Sequence, residues 1–440
     1  MKLHAIGGYG LVGRNMSVYE FEKEAVAVDI GLHMDNYISY MEAEPNGTPD
    51  KSMLQKIGAV PDLKPIRNIM HKIRAIVITH GHLDHVGAVQ FLEREFDCPI
   101  IATPLTMSIL RALAKDHKIR LKNRLITIKQ GSKYKVSEDL TIEFIKAAHS
   151  IPETSIIAFH TSKGVYLHAS DFKFDDNPGV GSKTDVKRLS ELKGKVRLVT
   201  IDTLNADEVR KTPSESVAKE MLKDLLLHKE LEGKGIIVST FSSHLARLRA
   251  IYALGHKLNR KIVFVGRSLE KYIRSGQDTN LISFDNAEVI GYSRRIRRKL
   301  KDIEKEGKHK YLIVATGHQG EPGSVLDRIS RRDFDFELHD NDAVVFSCSV
   351  IPVPQNVKNR EALEKSLREG NVRIFRDVHV SGHLSSEDHR YLFELTSPEI
   401  IVPTHSDHAT AEIIWPIVEK MGYTRDKFKI MSEGENIKID

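Results

Sequence analysis

Cysteine and tryptophan are scarce in this chain of 440 residues, which has two cysteines and one tryptophan. Cys98 and Cys348 lie far apart in the sequence and have no second cysteine or histidine at a zinc-finger spacing. The chain therefore has neither a disulfide framework nor a cysteine-based zinc motif. Because so few cysteines are typical of proteins from a reducing compartment, we expect the chain to act in the cytoplasm.

Long hydrophobic runs are also missing, since no apolar stretch approaches the roughly 20 residues of a transmembrane helix. The first residues, "MKLHAIGGYG", lack the apolar segment of a secretory signal peptide. Hydrophobic residues make up 40% and charged residues 29% of the chain, which is typical of a globular protein. We therefore expect no membrane partner, and the length predicts more than one domain.

The net charge of +6 is weak evidence of function, but the basic residues are unevenly distributed. Two runs, 115–124 ("KDHKIRLKNR") and 294–310 ("RRIRRKLKDIEKEGKHK"), are strongly basic. Each run alone is typical of a solvated helix face. Together they favour a polyanionic partner such as nucleic acid.

Histidine, in contrast, is abundant, with 21 residues. The segment "HGHLDHVG" places His80, His82, Asp84 and His85 within six positions, after an apolar strand and at the start of a helix predicted over 84–95. A strand-to-helix junction holds such side chains in place. Two neutral imidazoles suit one divalent ion, and an aspartate with a histidine suits a second ion. We therefore predict a metal site here.

Three more ligand-type residues, His149, Asp171 and His405, each follow a predicted apolar strand. A lone histidine is more often structural, so these three are predicted as ligands only in combination. Five histidines and two aspartates would suit two ions about 3.5–4 Å apart with one bridging carboxylate. Nitrogen and oxygen ligands favour Zn²⁺, with Mn²⁺ as the alternative.

The pattern of strands and helices changes along the chain. The first part reads as β-hairpins and short strands, and from about residue 196 apolar strands alternate with helices, as in a parallel sheet. Histidine-rich loops return near the end. We predict an α/β protein whose outer domain, 1–190 and 376–440, is interrupted by an α/β domain at 191–375.

A glycine motif near the start has the form of a dinucleotide-binding fingerprint. Gly8, Gly10 and Gly13 match G-x-G-x-x-G after a strand, with Asp29 downstream. That fingerprint requires a helix next, whereas the following residues alternate as in a hairpin. We predict a tight turn near the metal site.

The H-x-H-x-D-H motif after a strand, with Asp29 before it and single histidines and an aspartate after it, resembles the metallo-β-lactamase family. The resemblance implies an αββα sandwich that holds two ions at one edge, with Asp29 as a supporting residue. It assigns the ligands as His80, His82 and His149 on one ion, Asp84, His85 and His405 on the other, and Asp171 bridging.

Three further residues resemble the sequence motifs of the β-CASP nucleases, which share that fold. They are Asp202 at a strand end, His383 in "HVSGH", and His405. The segments "IGGYGLVGRNMSVYE", "ATGHQGEPGS" and "SVIPVPQN" are similar to the ribonuclease J family, and the chain ends as in its shorter archaeal type. This resemblance implies a 5′→3′ exoribonuclease that prefers 5′-monophosphate ends and leaves 5′ phosphates.

Catalysis is assigned to Asp84, His383 and Asp202, with His383 as the general acid and Asp202 orienting it. His383 could instead be a turn residue. We expect Ser381, the amide of Gly382 and His383 to contact a phosphate. Further RNA contacts are expected in two loops, from Phe241, Ser242, Ser243, His244, Thr316, Gly317, Gln319 and Gly320.

Other functions remain open on the sequence alone. An endoribonuclease of the cleavage-and-polyadenylation type would use the same ligands, and a small-molecule metallo-hydrolase would need no insertion. A non-catalytic RNA-binding protein would tolerate the loss of ligands, and none of the seven is missing. We expect single-stranded RNA as the partner. A homodimer and helicase or other RNA-degradation partners are left open.

Overall fold

The computed structural model describes residues 1–43, 49–351 and 353–439. Over these residues its strands are β1 Lys2–Gly7, β2 Met16–Glu20, β3 Ala25–Val28, β4 Ile73–Val77, β5 Ile100–Ala102, β6 Leu125–Thr127, β7 Lys133–Lys135, β8 Thr141–Lys146, β9 Ser155–Thr161, β10 Gly164–Ala169, β11 Val196–Asp202, β12 Ile236–Ser239, β13 Lys261–Val265, β14 Ala287–Ile290, β15 Tyr311–Ala315, β16 Ala343–Phe346, β17 Arg373–Phe375, β18 Ile400–Thr404 and β19 Asn436–Lys438.

The α-helices of the same residues are α1 Met34–Ala43, α2 Lys51–Lys56, α3 Leu83–Val86, α4 Val89–Leu92, α5 Pro104–Asp116, α6 Val186–Glu191, α7 Glu215–Leu226, α8 Leu245–Lys257, α9 Arg267–Asp278, α10 Ser293–Glu306, α11 Val325–Ser330, α12 Pro354–Glu369, α13 Ser386–Thr396, α14 His408–Glu412 and α15 Trp415–Lys420. Short 3-10 helices lie at Lys64–Lys72, Glu93–Glu95, Lys229–Leu231, Lys308–Lys310 and Arg425–Lys427. None of the helices in the described part of the chain is long and apolar enough to cross a membrane.

The chain divides into two compact units. The first unit comprises residues 1–176, 181–212 and 381–440, and the second comprises 177–180 and 213–380. The compact units divide at 212 and 381, later than the predicted domain boundaries of 191 and 375, which stay predictions. The physical reason at the first boundary is that β11 forms parallel ladders with β10 and β18, which belong to the first unit.

The first unit contains two sheets, with strand orders β19-β1-β2-β3-β4-β5-β6 and β18-β11-β10-β9-β8-β7. Both sheets contribute to one apolar core, to which Val26 and Val77 come from the first sheet and Phe144, Phe159 and Leu198 from the second. Helices α6, α13 and α15 pack on the other face of the second sheet through a separate cluster. This is a layered α/β sandwich, because each sheet must cover its apolar face.

The second unit is built on one sheet of order β14-β13-β15-β12-β16-β17, in which every ladder is parallel. Its strands are short apolar runs because both faces are covered by helices. Fully buried Arg247 donates to Glu215 at 2.6 and 2.9 Å and to the carbonyl oxygens of Ser347 and Val378 at 2.9 and 3.1 Å. This arginine joins the start of α7 to two loops of the unit.

The strand directions of the first unit bring the predicted ligands to one end of its sheets. β3 and β4 are parallel, and β10, β11 and β18 are parallel to one another. β8 runs in the same direction as β10 because both are antiparallel to β9. The register that pairs Asp202 with Thr404 places His405 beside the end of β11.

The helix that the sequence predicts over 84–95 is wrong as a single element, because α3 and α4 are separate. The carbonyl oxygen of Asp84 accepts a hydrogen bond from the backbone of Asn15 at 3.0 Å. The amide of Ala88, four residues on, donates instead to Ile30 at 3.0 Å. Tertiary hydrogen bonds thus replace the helical bond between Asp84 and Ala88.

Candidate metal centre and active site

The histidine loop is held by backbone hydrogen bonds to the start of the chain. The amide of Leu32 donates to Leu83 at 3.0 Å, and the amide of Ile30 donates to His85 at 2.8 Å. A Cβ atom on Gly31 would lie 1.6 Å from the carbonyl oxygen of Asp84, so only glycine permits this approach. The segment 30–32 therefore positions α3 and the side chains that it presents.

The first group of converging ligands contains His80, His82, His149 and Asp171, whose donor atoms all lie within 4.8 Å of one another. Nδ1 of His82 lies 3.2 Å from Nε2 of His80 and 3.2 Å from Nε2 of His149. The sequence predicted these four residues as neighbours, and the structure brings them together.

The second group contains Asp84, His85, His405 and Asp171, again with donor atoms within 4.8 Å. Oδ2 of Asp84 lies 3.5 Å from Nε2 of His85 and 3.7 Å from Nε2 of His405. All seven predicted ligands thus meet in one cluster, although they come from four different strand ends.

Asp171 is common to both groups. Its Oδ2 atom lies 3.3 Å from Nε2 of His85, 3.7 Å from that of His80 and 3.9 Å from those of His149 and His405. Two such donors, each about 2.0–2.2 Å from one tetrahedral zinc ion, would lie roughly 3.3–3.6 Å apart. The spacing and the donor set therefore fit two divalent ions that share this carboxylate.

The electrostatics of the cluster suit metal binding. Burial is the main cause that lowers the pKa of His80 and of His149 well below the usual histidine range. This keeps both imidazoles neutral, which is the form that binds a divalent ion. Burial also acts to lower the pKa of His85, but Asp171 and two other carboxylates outweigh it and raise that pKa well above its usual value. Burial acts to raise the pKa of Asp171. Its histidine neighbours, His405 first, outweigh burial and lower this pKa well below the usual value of an aspartate.

A second layer of hydrogen bonds orients the ligands. Oδ2 of fully buried Asp29 lies 2.8 Å from Nδ1 of His85 and accepts from the hydroxyl of Thr79 at 2.8 Å. Nδ1 of His149 donates to the carbonyl oxygen of Gly382 at 2.8 Å, which directs Nε2 into the cluster. Asp29 therefore lies where the sequence analysis expected a supporting residue, and this contact to His85 is typical of such a role.

Asn15 is a contact of the cluster that sequence reasoning missed. Its amide lies 2.8 and 3.0 Å from Nδ1 of His405, 2.9 Å from Nε2 of His85, and 3.1 Å from the carbonyl oxygen of Asp84. The only sequence signal is its place directly after the glycine turn, in the segment "IGGYGLVGRNMSVYE". Asn15 thus contacts two candidate ligands, His405 and His85, and the backbone of the histidine loop.

The predicted catalytic pair also lies in the cluster. Nδ1 of His383 is 2.7 Å from Oδ2 of Asp202 and 3.9 Å from Oδ2 of Asp171. Burial alone would lower the pKa of His383, but Asp202 and Asp171 outweigh it and raise the pKa to about 9. The backbone amide of Leu204 donates to Oδ1 of Asp202 at 2.8 Å, which fixes the carboxylate. The two carboxylates thus favour the protonated form of His383 beside the candidate ligands.

The turn before His383 is tightly constrained. The hydroxyl of Ser381 accepts from the amide of His383 at 3.1 Å and from the side chain of Asn205 at 2.6 Å. A Cβ atom on Gly382 would lie 2.8 Å from the ring of His149, so a side chain there would displace a ligand. Phosphate contact by this turn stays a prediction, and its structural role is to position His149 and His383.

The predicted RNA-contact loops lie in the second unit, after β12 and β15. His244 and Gln319 are buried, and their side chains make internal bonds: His244 to Glu215 at 3.2 Å, and Gln319 to the backbone of Ser349 at 3.0 Å. Phe241 is partly exposed, with its ring centroid 4.5 Å from that of His318.

Other residues of these loops have structural contacts too. The hydroxyl of Ser242 lies 2.9 Å from that of Ser268. Gly317 and Gly320 have positive φ angles, and Thr316 and Ser243 are partly exposed. Contact of these loops with RNA stays a prediction.

Comparison with known proteins identifies the families that this chain resembles. A family model for the ribonuclease J β-CASP domain matches residues 233–363, and one for a β-lactamase superfamily domain matches residues 48–203. The chain is 39% identical over 440 residues to the protein named Ribonuclease J of Pyrococcus abyssi. The alignment covers 99% of this chain and 96% of the relative. It is 37% identical over 426 residues to Ribonuclease J of Methanocaldococcus jannaschii, over 96% and 95% of the two chains.

A solved structure supports the fold alone. The crystal structure of a protein of unknown function from Enterococcus faecalis V583 matches with a TM-score of 0.66 and 15% identity, over 99% of both chains. The predicted α/β fold, a metallo-β-lactamase domain with a β-CASP insertion, is confirmed by the two family models. The chain belongs to the ribonuclease J family of nucleases.

Proposed function

We propose that this protein is a two-metal-ion 5′→3′ exoribonuclease that hydrolyses single-stranded RNA, prefers 5′-monophosphate ends and leaves 5′ phosphates. The observation that carries the proposal is the joint convergence of seven metal-type ligands and the His383–Asp202 pair on Asp171. The family membership supports RNA as the substrate, since two relatives that cover nearly the whole chain are named Ribonuclease J.

Two groups of ligands, with Asp171 in both, would each hold one divalent ion. His80, His82 and His149 would hold one ion, and Asp84, His85 and His405 the other. When bound, such ions lower the pKa of water and neutralise the charge of phosphate oxygens. Histidine and carboxylate ligands suit Zn²⁺, and Mn²⁺ is the alternative.

The chain's own residues supply the proton for the leaving group. Hydrolysis forms a bond between a water oxygen and phosphorus and breaks the bond from phosphorus to the 3′ oxygen. His383 would donate its proton to that 3′ oxygen, while Asp202 holds the ring through Nδ1 and stabilises its charged form. The product then carries a 5′ phosphate and the departing nucleotide a 3′ hydroxyl.

The direction of degradation is tested by time-resolved digestion of one RNA labelled at its 5′ or at its 3′ end. We expect immediate release of labelled mononucleotide from the 5′ label and no discrete intermediates from the 3′ label. Discrete intermediates from both labels would instead establish an endonuclease. Asp84→Ala is the matched inactive control.

The end preference needs a separate comparison of the same RNA with a 5′ monophosphate, triphosphate or hydroxyl. We expect the monophosphate substrate to be degraded fastest. Equal rates on all three would remove the preference from the proposal and leave the hydrolase intact.

A further inference from the structure

The first two turns of α10 carry an unusual concentration of positive charge. Between Ser293 and Leu300 there are five basic residues and no acidic one: Arg294, Arg295, Arg297, Arg298 and Lys299. The positive end of the helix dipole lies at this terminus, so the cations are locally unfavourable there. Basic residues at a helix N-terminus are unfavourable unless nearby groups compensate their charge, so those without such partners indicate a function for the exposed side chains.

Two of the five basic residues are used inside the unit. Lys299 forms an ion pair with Glu288. Arg297 donates to the carbonyl oxygen of Asp333 at 3.0 Å and stacks on the ring of Phe334 at 5.4 Å. These two side chains therefore have structural partners.

The other three, Arg294, Arg295 and Arg298, are exposed and have no ion pair with any residue that the structure describes. Residues three and four positions apart are neighbours on a helix surface, so these three guanidinium groups share one face. Acidic residues near α10 are engaged elsewhere: Asp335 pairs with Lys301 at 2.8 Å, and Glu270 pairs with Arg274.

Tyr292 precedes the helix and is 66% exposed. Its side chain makes no capping hydrogen bond to α10, and its ring has no aromatic partner in the described ranges. A large ring in solvent beside three unpaired arginines is the combination that grips single-stranded nucleic acid, through base stacking and phosphate contacts.

The position in the sheet agrees with this use. β14 ends at Ile290, and α10 begins at Ser293, so this helix terminus lies at the carboxyl edge of the parallel sheet. The loops that contain Phe241 and Thr316 leave the same edge, after β12 and β15. Ligands of parallel α/β sheets bind at that edge.

We propose that Tyr292, Arg294, Arg295 and Arg298, together called the α10 patch, bind single-stranded RNA. The arginines would contact phosphates, and the tyrosine ring would stack on a base. The inference rests on the proposed function, because it takes RNA as the substrate. An acidic protein partner would satisfy the arginines but would leave the exposed ring unexplained.

The test measures the affinity of the full-length protein for single-stranded RNA in chelator, so that binding is separate from cleavage. We expect the triple variant R294A/R295A/R298A to bind about 10- to 100-fold more weakly at about 0.1 M salt, with a salt slope reduced by about 2. The triple variant K56A/R67A/R74A removes the same charge from exposed positions of the first unit and is the matched control. We expect its binding to remain close to wild type.

Tyr292 gives an independent measurement. Tyr292→Ala should weaken RNA binding several-fold without changing the salt slope, since stacking releases no counterions. Tyr292→Phe keeps the ring and should bind as the wild type does. An unchanged affinity in both the arginine variant and Tyr292→Ala would overturn the proposal, as would an equal loss in the control.

The two proposals fail separately. If the wild type cleaves RNA and the arginine variant binds RNA normally, only the α10 patch is refuted. If the wild type cleaves no RNA while the arginine variant loses RNA binding, the patch stands and the proposed nuclease function falls. RNA binding that is unchanged in the arginine variant, with loss of binding to an acidic polypeptide such as polyglutamate, would assign the patch to a protein partner and refute the RNA proposal.

Discussion

The Nδ1 atom of His383 lies 2.7 Å from the Oδ2 atom of Asp202, and the two residues come from positions 181 apart in the chain. Asp202 ends β11, and its second oxygen accepts from the amide of Leu204 at 2.8 Å. The carboxylate therefore cannot turn away from the imidazole. This arrangement leaves Nε2 of His383 as the ring atom that can serve a substrate.

His383→Gln should lower kcat on RNA by about 10²–10⁴, which is the usual contribution of a general acid. The defect should shrink on a p-nitrophenyl phosphodiester, because p-nitrophenolate leaves without a proton. Steady-state kinetics on both substrates, with RNA affinity measured in chelator, check this. A loss of equal size on both substrates would assign His383 to another role.

Asp202→Asn should produce a similar defect, and the double variant with His383→Gln should be no worse than either single one. Residues that act as a unit are non-additive in this way. Additive losses in kcat would show that the two residues act independently.

Asp84→Ala and His85→Ala should abolish cleavage while RNA binding persists, because each removes a ligand of the same candidate ion. Bound metal, measured by elemental analysis after dialysis, should fall by about one ion per chain in both variants. Chelation should inactivate the wild type, and restoration with Zn²⁺ or Mn²⁺ identifies the ion that supports turnover. Near-normal turnover by either variant would contradict the two-metal scheme.

Asn15→Ala should weaken metal binding by about 10- to 100-fold, as is usual for loss of a residue that orients a ligand. The amide contacts Nδ1 of His405, so its removal frees that ring, whereas Asp29 still holds Nδ1 of His85. Gln55→Ala, which removes an exposed amide from α2, is the matched control. Metal titration and the free energy of unfolding, measured together, separate the effect on the site from an effect on the fold.

Glu143→Gln should destabilise the protein at neutral pH by about 1–3 kcal/mol, because Glu143 binds Arg188 at 2.8 Å and His160 at 2.6 Å. Burial by itself raises the pKa of Glu143, but His160 and Arg188 lower it from about 4.5 to about 2. Since the folded pKa is depressed, the stabilisation is present above pH about 4.5 and is lost as the pH falls toward 2. The unfolding free energies of wild type and variant should therefore converge over that interval, and a constant difference would contradict this account.

The candidate metal ligands could be predicted from the sequence because each carries a local signal. His80, His82, Asp84 and His85 stand together in six positions, and His149, Asp171 and His405 follow apolar strands. Strand periodicity and residue type are local properties, so they can be recognised in the sequence without knowledge of the fold.

Other features depend on contacts between distant segments. The helix predicted over 84–95 is broken because Asp84 and Ala88 bond to Asn15 and Ile30. Asn15 itself has no distinctive type or spacing, and its role follows only from its contact with His405, 390 positions away. The boundary of the second unit likewise depends on the pairing of β11 with β10 and β18.

By itself the sequence determined which chemical groups stand at the strand ends, because residue type and the alternation of apolar and polar residues are local properties of the chain. Only the tertiary structure decided that β3, β4, β8, β10, β11 and β18 end together, and that Asp171 lies between the histidines. The physical reason is that strand pairing and sheet packing are chosen by the burial of a whole apolar core, which no single segment encodes.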